Sequence, residues 1–190
     1  FKQKTAYEIL VRSRGLGDVY KRQVYCCFDN EEVGSNTKQG AMSTFLKDVL
    51  HRINTGLGKT EDEYYQAIAK TFLVSCDNAH ALHPNHAEKT DAVNFVTMNG
   101  GIVIKESANQ KYTTDAFSRA LFTGVCQNVN VPVQSFANRS DVVGGSTLGN
   151  LSNTQVSVHA VDFGLAQLAM HSCFAVSYTH LRAHETVLDL

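Results

Sequence analysis

Tryptophan is absent from this 190-residue chain, and proline occurs only twice. Five cysteines are present, but no two of them have the Cys-x-x-Cys spacing of compact zinc and redox sites. There is no apolar run long enough to span a bilayer, so we expect no membrane partner. With 17 basic and 18 acidic residues the chain also has no excess of basic charge, which argues against nucleic acid as a partner.

The residues that are present have the balance of a soluble globular protein. The chain is 43% hydrophobic and 18% charged, which is enough for one core. The cysteines are odd in number and most lie in apolar segments. We interpret them as buried free thiols in a reducing compartment, and therefore predict a cytoplasmic protein.

The two ends of the chain differ from its middle. Residues 1–23 are basic, have no clean periodicity, and contain neither an apolar signal-peptide core nor an initiating Met. They resemble translated sequencing-adaptor peptides, and residues 177–190 resemble the partner adaptor. We therefore predict that only residues 24–176, with ten basic and fourteen acidic side chains, form the domain. The alternative is that the ends are genuine helices, residues 183–190 in particular.

Strands and helices alternate along the middle of the chain. Apolar runs predict strands at 24–28, 72–76, 102–105, 131–137 and 156–161, and helices at 38–53, 60–70, 113–125 and from 146. Thr60 and Glu63 have the spacing of a capping box. We also predict that Thr113 or Thr114 caps the third helix and that Phe117, Leu121 and Phe122 face inward. The alternation predicts the α/β class: a layered α/β/α domain with a largely parallel or mixed sheet, incomplete at its N-terminal side.

Two adjacent carboxylates, Glu31 and Glu32, follow the first predicted strand. Within a strand their side chains would point to opposite faces, so they can serve one site only from a loop. Such a pair suits metal-dependent hydrolysis, in which one carboxylate holds the cation and the other moves a proton. The alternative is a solvated pair of surface glutamates.

Further polar residues follow other predicted strands, namely Asp77, Asp141 and His171. Ligands bind at the carboxyl ends of strands in open α/β sheets, so we expect these residues to share one sheet edge. Carboxylate oxygen and imidazole nitrogen are zinc ligands, which predicts a zinc site there. The structural alternatives are a turn residue for Asp77, a core histidine for His171, and an ion pair between Arg139 and Asp141 that braces the Gly-rich loop.

Five blocks of sequence resemble the aspartyl aminopeptidase family of di-zinc metallopeptidases, in the order that the family has them. The blocks are Phe28–Ser35, Ser75–Asn85, Asn109–Tyr112, Arg139–Gly149 and Gln167–Ser172. They extend over nearly all of the middle segment. The resemblance covers only the C-terminal part of the family's catalytic domain.

The resemblance implies a role for each of the four residues that match the catalytic machinery. Glu31 matches the general base that takes a proton from the attacking water. Glu32 and His171 match two ligands of one zinc ion, and Asp77 matches a ligand of the other. The family's remaining ligands, an upstream histidine and a bridging aspartate, have no counterpart here, so we expect the chain by itself to bind zinc weakly and to be inactive.

The resemblance also implies a substrate pocket. His80 lies in the same motif as Asp77, and Lys105 matches a basic residue of the pocket. The Gly-rich loop contributes Gly145, Ser146 and Thr147 as substrate-binding residues through backbone groups. A lysine in the pocket favours substrates whose N-terminal residue is Asp or Glu.

The implied function is therefore a zinc-dependent aminopeptidase that removes N-terminal, preferably acidic, residues from peptides. A complete active site would hold two zinc ions, and the full-length parent is expected to be a homo-oligomer. One alternative is a broad or neutral-residue aminopeptidase with the same two-metal site. Another is a non-catalytic peptide-binding module.

Overall fold

The structure is a computed structural model that describes residues 9–12, as backbone only, and residues 23–177. The α-helices in these residues are α1 (Phe45–Gly56), α2 (Glu61–Ala69), α3 (Ala116–Asn128) and α4 (Leu148–Asn153). The strands are β1 (Ile9–Arg12), β2 (Gln23–Cys26), β3 (Phe72–Cys76), β4 (Ala79–His80), β5 (Ile102–Glu106), β6 (Val133–Ala137), β7 (His159–Gly164), β8 (Ala166–Leu168) and β9 (Val176–Ser177). In this part of the chain no helix combines the length and the apolar character that crossing a bilayer requires.

The main sheet has four strands in the order β3-β7-β5-β6. β3 is parallel to β7 and β5 is parallel to β6, but β5 and β7 are antiparallel. This mixed sheet, with helices between its strands, confirms the predicted α/β class. Since the two parallel pairs run in opposite directions, the carboxyl ends of β3 and β7 lie at one edge and those of β5 and β6 at the other.

Neighbouring residues of β5 build the cores on the two faces of the sheet. Ile104 packs with Phe122 of α3 and with Phe163 of β7, and the two phenylalanine ring centroids are 4.8 Å apart. On the opposite face Val103 packs with Tyr112 and Phe136. Burying a valine, isoleucine or phenylalanine side chain stabilises a fold by about 1.5–3 kcal/mol, so these two clusters hold the sheet between its layers.

The pairing of β3 with β7 continues beyond a bend as the pairing of β4 with β8. The Asp77 amide donates to Phe163 O at 2.9 Å, and the Ala79 amide donates to Leu165 O at 2.9 Å. At the bend, a Cβ on Gly164 would lie 1.9 Å from the carbonyl oxygen of Asp77. Asp77 is therefore presented where two parallel ladders meet. The last predicted strand ends at residue 161, whereas β7 continues to Gly164 and is followed by β8.

The N-terminal elements differ from their predictions. The strand predicted at 24–28 is found as β2, but it pairs with β1 outside the main sheet and has alternating exposed and half-buried residues, so it is not a buried strand. Helix α1 begins at Phe45 rather than at residue 38. The residues before it form turns on the buried Ser35, whose carbonyl accepts from the Met42 amide at 3.4 Å.

The cap and the inward face of α3 were also predicted wrongly. Asp115, not Thr113 or Thr114, caps the helix, by accepting from the Ser118 amide at 2.7 Å. Phe117 and Leu121 were expected to face the core but are exposed, since α3 packs on the sheet through Phe122.

The predicted adaptor-like ends fall largely outside the described residues. The described residues at or near these ends form strand pairs: Ile9–Arg12 pairs antiparallel with Gln23–Cys26, and Val176–Ser177 pairs with β8. The boundaries at 24 and 176 stay predictions. The expectation of buried thiols is correct for Cys126 but wrong for Cys76 and Cys173, which are exposed.

Candidate functional site

Glu31 and Glu32 project from a single turn of 3-10 helix, Glu31–Val33. The residue before this turn, Asn30, has a left-handed backbone (φ 60°), and its side chain donates to the Thr37 hydroxyl at 3.1 Å. The turn closes through the Gly34 amide, which donates to Glu31 O at 2.9 Å. A 3-10 helix separates neighbouring side chains by about 120° around its axis, yet the carboxyl groups of Glu31 and Glu32 remain close enough to interact, which raises the pKa of Glu31.

Glu32 lies against His171, although the two residues are 139 positions apart in the sequence. Glu32 Oε2 and His171 Nδ1 are 3.1 Å apart. His171 and the nearby Ala169 both have left-handed backbones, with φ of 66° and 51°. Non-glycine residues hold this conformation only where the surrounding structure imposes it. The Ala169–His171 turn thus directs the imidazole towards the glutamate.

The contact between Glu32 and His171 contributes little to stability. Their side chains are 75% and 64% exposed, and exposed ion pairs contribute little to folding. Two ligand atoms of a tetrahedral zinc ion lie about 3.3 Å apart, given zinc–ligand bonds of about 2.0–2.1 Å. The separation of 3.1 Å is that of an ordinary hydrogen bond and is also close to the separation of two ligands on one ion.

Glu31 has the electrostatics of a base. Partial burial raises its pKa, and the negative charges of Glu32 and Asp77 raise it further, against a smaller lowering by His171. A carboxylate with a raised pKa accepts a proton more readily near neutral pH. The charges of Glu32, Asp77 and His171 thus all act on Glu31.

Asp77 is held by a buried lysine. Lys105 Nζ donates to Asp77 Oδ2 at 2.8 Å and to Asn78 O at 2.9 Å, and the lysine side chain is only 3% exposed. Its ammonium also lies 5.4 Å from the centroid of the Tyr112 ring, whose hydroxyl accepts from Asn138 at 2.8 Å. The cation that the sequence predicts for the substrate pocket thus contacts a predicted metal ligand directly.

His80 follows Asp77 on the same segment and is exposed. Desolvation by the surrounding protein nonetheless lowers its pKa, as do the charges of His171 and Lys105, whereas Asp77 raises it. A lowered pKa keeps an imidazole neutral at physiological pH. A neutral His80 can accept or donate one hydrogen bond to a ligand in the cleft.

The Gly-rich loop presents its three predicted residues differently. Gly145 is exposed and Ser146 is half-buried. Thr147 is 1% exposed, and its hydroxyl donates to Asp162 Oδ2 at 2.7 Å. The side chain of Thr147 thus faces the interior, while the backbone before it lies at the surface.

Asp141 does not join the other predicted residues. It follows β6, whose carboxyl end lies at the opposite edge from that of β3, so the expectation of one shared edge is wrong for this residue. Its carboxylate accepts from Arg139 at 2.9 and 2.5 Å, and Arg139 also donates to Glu88 O. The structure therefore has the ion pair between Arg139 and Asp141 that was the alternative interpretation. It lines a surface cavity of about 810 Å³.

Within residues 9–12 and 23–177, no three His, Cys, Asp or Glu side chains form a ready metal cluster. The residues nonetheless fit zinc by type, since the Glu32–His171 pair supplies oxygen and nitrogen donors at a suitable separation. The predicted zinc ligands and catalytic base stay predictions.

Sequence reasoning missed Asp162, a carboxylate that is 0% exposed in the central strand β7. A signal was available, because Asp162 interrupts an otherwise apolar run from Ala160 to Phe163. A charged residue in such a run is rarely buried unless its partners satisfy it.

Comparison with known proteins identifies the family that this chain matches. The family model described as "Aminopeptidase I zinc metalloprotease (M18)" matches residues 5–188. A probable M18 family aminopeptidase 2 from Clostridium novyi is 49% identical over 149 residues, which are 78% of this chain and 34% of the relative. The chain thus spans about a third of the length of the curated relatives that it matches.

Two solved structures also superpose on most of this chain. Ape4, in a cryo-EM structure of its complex with Nbr1, superposes with a TM-score of 0.72 and 44% identity over 75% of this chain and 27% of that one. The mApe1 dodecamer of S. cerevisiae superposes with a TM-score of 0.65 and 30% identity, over 78% of this chain and 32% of that one.

Proposed function

Since this chain belongs to the aminopeptidase I (M18) family of zinc metalloproteases, we propose that it forms part of the active site of a zinc-dependent aminopeptidase that acts on peptides. The observation that carries the proposal is the 3.1 Å contact between Glu32 and His171, with Glu31 on the same turn. A mere surface pair would not require a left-handed histidine and a second glutamate beside it.

Each residue has a distinct task in this proposal. Glu32 and His171 hold one zinc ion and Asp77 helps to hold the other. When bound, zinc polarises the scissile carbonyl and lowers the pKa of water. Glu31 takes a proton from the attacking water and returns it to the leaving amine. His80 and the backbone of Gly145 and Ser146 line the cleft and orient the peptide.

The decisive experiment replaces the matching segment of the Clostridium novyi relative with that of this chain and measures aminopeptidase activity. We expect Glu31→Gln to lower kcat on the order of 1,000-fold, because the substitution keeps the shape but removes the base. The control is Asp62→Asn, which removes an exposed carboxylate of α2 and should leave kcat unchanged. An active Glu31→Gln chimaera would contradict the assignment.

We further propose that the enzyme prefers N-terminal Asp or Glu. The resemblance that assigns Lys105 to the substrate pocket supports this preference, since an ammonium group pairs with a carboxylate. One observation favours the rival, a broad or neutral-residue aminopeptidase: Lys105 already donates to Asp77 and Asn78. Kinetics of the chimaera on Asp-, Glu- and Leu-terminated peptides distinguish the two, and a preference for Leu would exclude the acidic specificity.

The complete protein is proposed to be a cytoplasmic homo-oligomer. The dodecameric assembly of the S. cerevisiae relative supports the oligomer, and analytical ultracentrifugation of the chimaera would test it. The cytoplasmic location rests on the cysteines that lie in apolar segments. Cell fractionation tests this location.

A further inference from the structure

Asp162 is a buried carboxylate to which the proposed mechanism gives no task. Its Oδ2 accepts two hydrogen bonds, from the Thr113 amide at 2.5 Å and from the Thr147 hydroxyl at 2.7 Å. Burial raises its pKa, and the Ser75 hydroxyl and the bonds from Thr113 and Thr147 oppose that shift. Among the described residues, its other oxygen, Oδ1, is buried with no hydrogen-bond partner. A buried carboxylate is costly unless its partners compensate, so its position depends on those partners and theirs on it.

The partners of Asp162 belong to segments that surround the candidate site. Thr147 ends the Gly-rich loop and caps α4, and its amide donates to Lys111 O at 3.4 Å. Ser75 is opposite Asp162 in the parallel pairing of β3 with β7, two residues before Asp77. One carboxylate thus contacts the loop and lies beside the strand that presents Asp77.

The start of α4 is also packed directly on this strand. The Gly149 amide donates to the Ser75 hydroxyl at 3.0 Å. A Cβ on Gly149 would lie 2.6 Å from Ser75 Cβ and 2.9 Å from Asp162 Oδ1. The loop therefore has little freedom to shift relative to Asp77 while these contacts hold.

We propose that Asp162 is a positioning residue of the site, which holds the Gly-rich loop at a fixed distance from the strand that presents Asp77. The loop is attached through Thr147, and the turn before α3 is attached through Thr113. The importance of this distance for peptide binding rests on the proposed function. The attachment itself is a property of the chain and can be tested without catalysis.

Amide hydrogen exchange of the 190-residue chain, followed by NMR, tests the attachment. Thr147→Val removes the hydroxyl, so we expect exchange at Thr113 and Gly149 to accelerate at least about tenfold while exchange at Ile104 stays unchanged. Thr147→Ser restores the hydroxyl and should stay within about twofold of the parent. The control is Thr154→Val, which removes the hydroxyl at the other end of α4 and should not affect Thr113.

A double-mutant cycle between Thr147 and Asp162 distinguishes an attachment to Asp162 from a general loosening of the structure. In an Asp162→Ala background, Thr147→Val should add less than about twofold to exchange at Thr113, because the carboxylate that joins the two threonines is already gone. Additive effects, unchanged exchange in Thr147→Val, or equal acceleration in Thr154→Val would each overturn the proposal. If Asp162→Ala does not fold, the contrast between Thr147→Val and Thr147→Ser decides alone. An inactive chimaera would contradict the proposed function and leave this result intact.

Discussion

At the scale of single residues, Gly164 controls how Asp77 is presented. The backbone of Asp77 crosses so close to Gly164 that a Cβ there would lie 1.9 Å from a carbonyl oxygen. Main-chain atoms cannot give way as a flexible side chain can, so the ladder itself would have to separate. The residue that bears a predicted metal ligand therefore depends on a glycine that takes no part in chemistry.

We expect Gly164→Ala to lower the free energy of unfolding by about 3 kcal/mol, because the methyl group overlaps the backbone of Asp77. The matched control is Gly124→Ala, in the interior of α3, where a Cβ would meet no atom within 4 Å. That substitution should raise stability by up to about 1 kcal/mol through helix propensity. Urea denaturation measures both, and equal effects would refute the close approach.

Asp162 predicts a pH dependence of stability. Its folded pKa is raised above 3.8, so the folded state binds more protons than the unfolded state as pH rises above that value. Stability from this group is fully present below pH 3.8 and is lost as pH rises towards the folded pKa. The free energy of unfolding of Asp162→Asn, relative to that of the parent, should therefore increase with rising pH and then level off. Urea unfolding between about pH 3.5 and about pH 8 measures this difference.

Asp115 serves as a control of opposite sign. Its pKa is lowered by the Ser118 amide that it caps, so its contribution is present above pH 3.8 and is lost as pH falls. Asp115→Asn should thus lose stability relative to the parent at neutral pH, and the difference should shrink in acid. Parallel pH trends for Asp115→Asn and Asp162→Asn would refute both assignments.

At the scale of elements, α2 was predictable because its start signal is local. The Thr60 hydroxyl accepts from the Glu63 amide at 3.2 Å, and Glu63 accepts from the Thr60 amide at 2.8 Å. This is the capping box that the spacing predicts. By contrast, the predicted start of α1 was seven residues too early. The turns before the helix are fixed by contacts with Ser35, which the apolar periodicity of the helix does not encode.

We expect Thr60→Ala to destabilise the chain by about 1 kcal/mol, since the Glu63 amide at the start of α2 loses its partner. Thr60→Ser keeps the hydroxyl and should cost much less. Thermal unfolding, followed by circular dichroism in the helix band at about 222 nm, measures the difference in stability. Equal losses in both variants would show that the cap is not what stabilises α2.

At the scale of the whole molecule, the candidate site combines turns from distant parts of the sequence. Glu32 and His171 supply two donors to one proposed ion, and Asp77 supplies one to the other. Zinc sites hold metal tightly when three or four protein ligands are preorganised. We therefore expect the 190-residue chain to bind zinc on the order of 100-fold more weakly than the chimaera.

Competition with a chromophoric chelator measures both zinc affinities. Glu32→Ala should remove most of the residual affinity of the chain, and Asp62→Asn, as control, should remove none. Zinc affinity in the isolated chain equal to that of the chimaera would contradict the expected weak binding. A Glu32→Ala chain that binds zinc as well as the parent would contradict the ligand assignment.

The sequence by itself determined what local patterns encode. Apolar runs gave β3 at Phe72–Cys76 without error, the capping box gave the start of α2, and short motifs singled out the family. Each of these depends on neighbours within a few residues or on residue types at fixed spacing.

Only the tertiary structure decided how distant segments meet. The antiparallel pairing of β5 with β7 sends Asp141 to the opposite edge from Asp77, and no periodicity within either strand specifies that direction. The contact between Lys105 and Asp77 and the burial of Asp162 likewise arise from packing between strands far apart in sequence. Long-range pairing depends on the shape and charge of all the partners together, which is why it appears only in the folded chain.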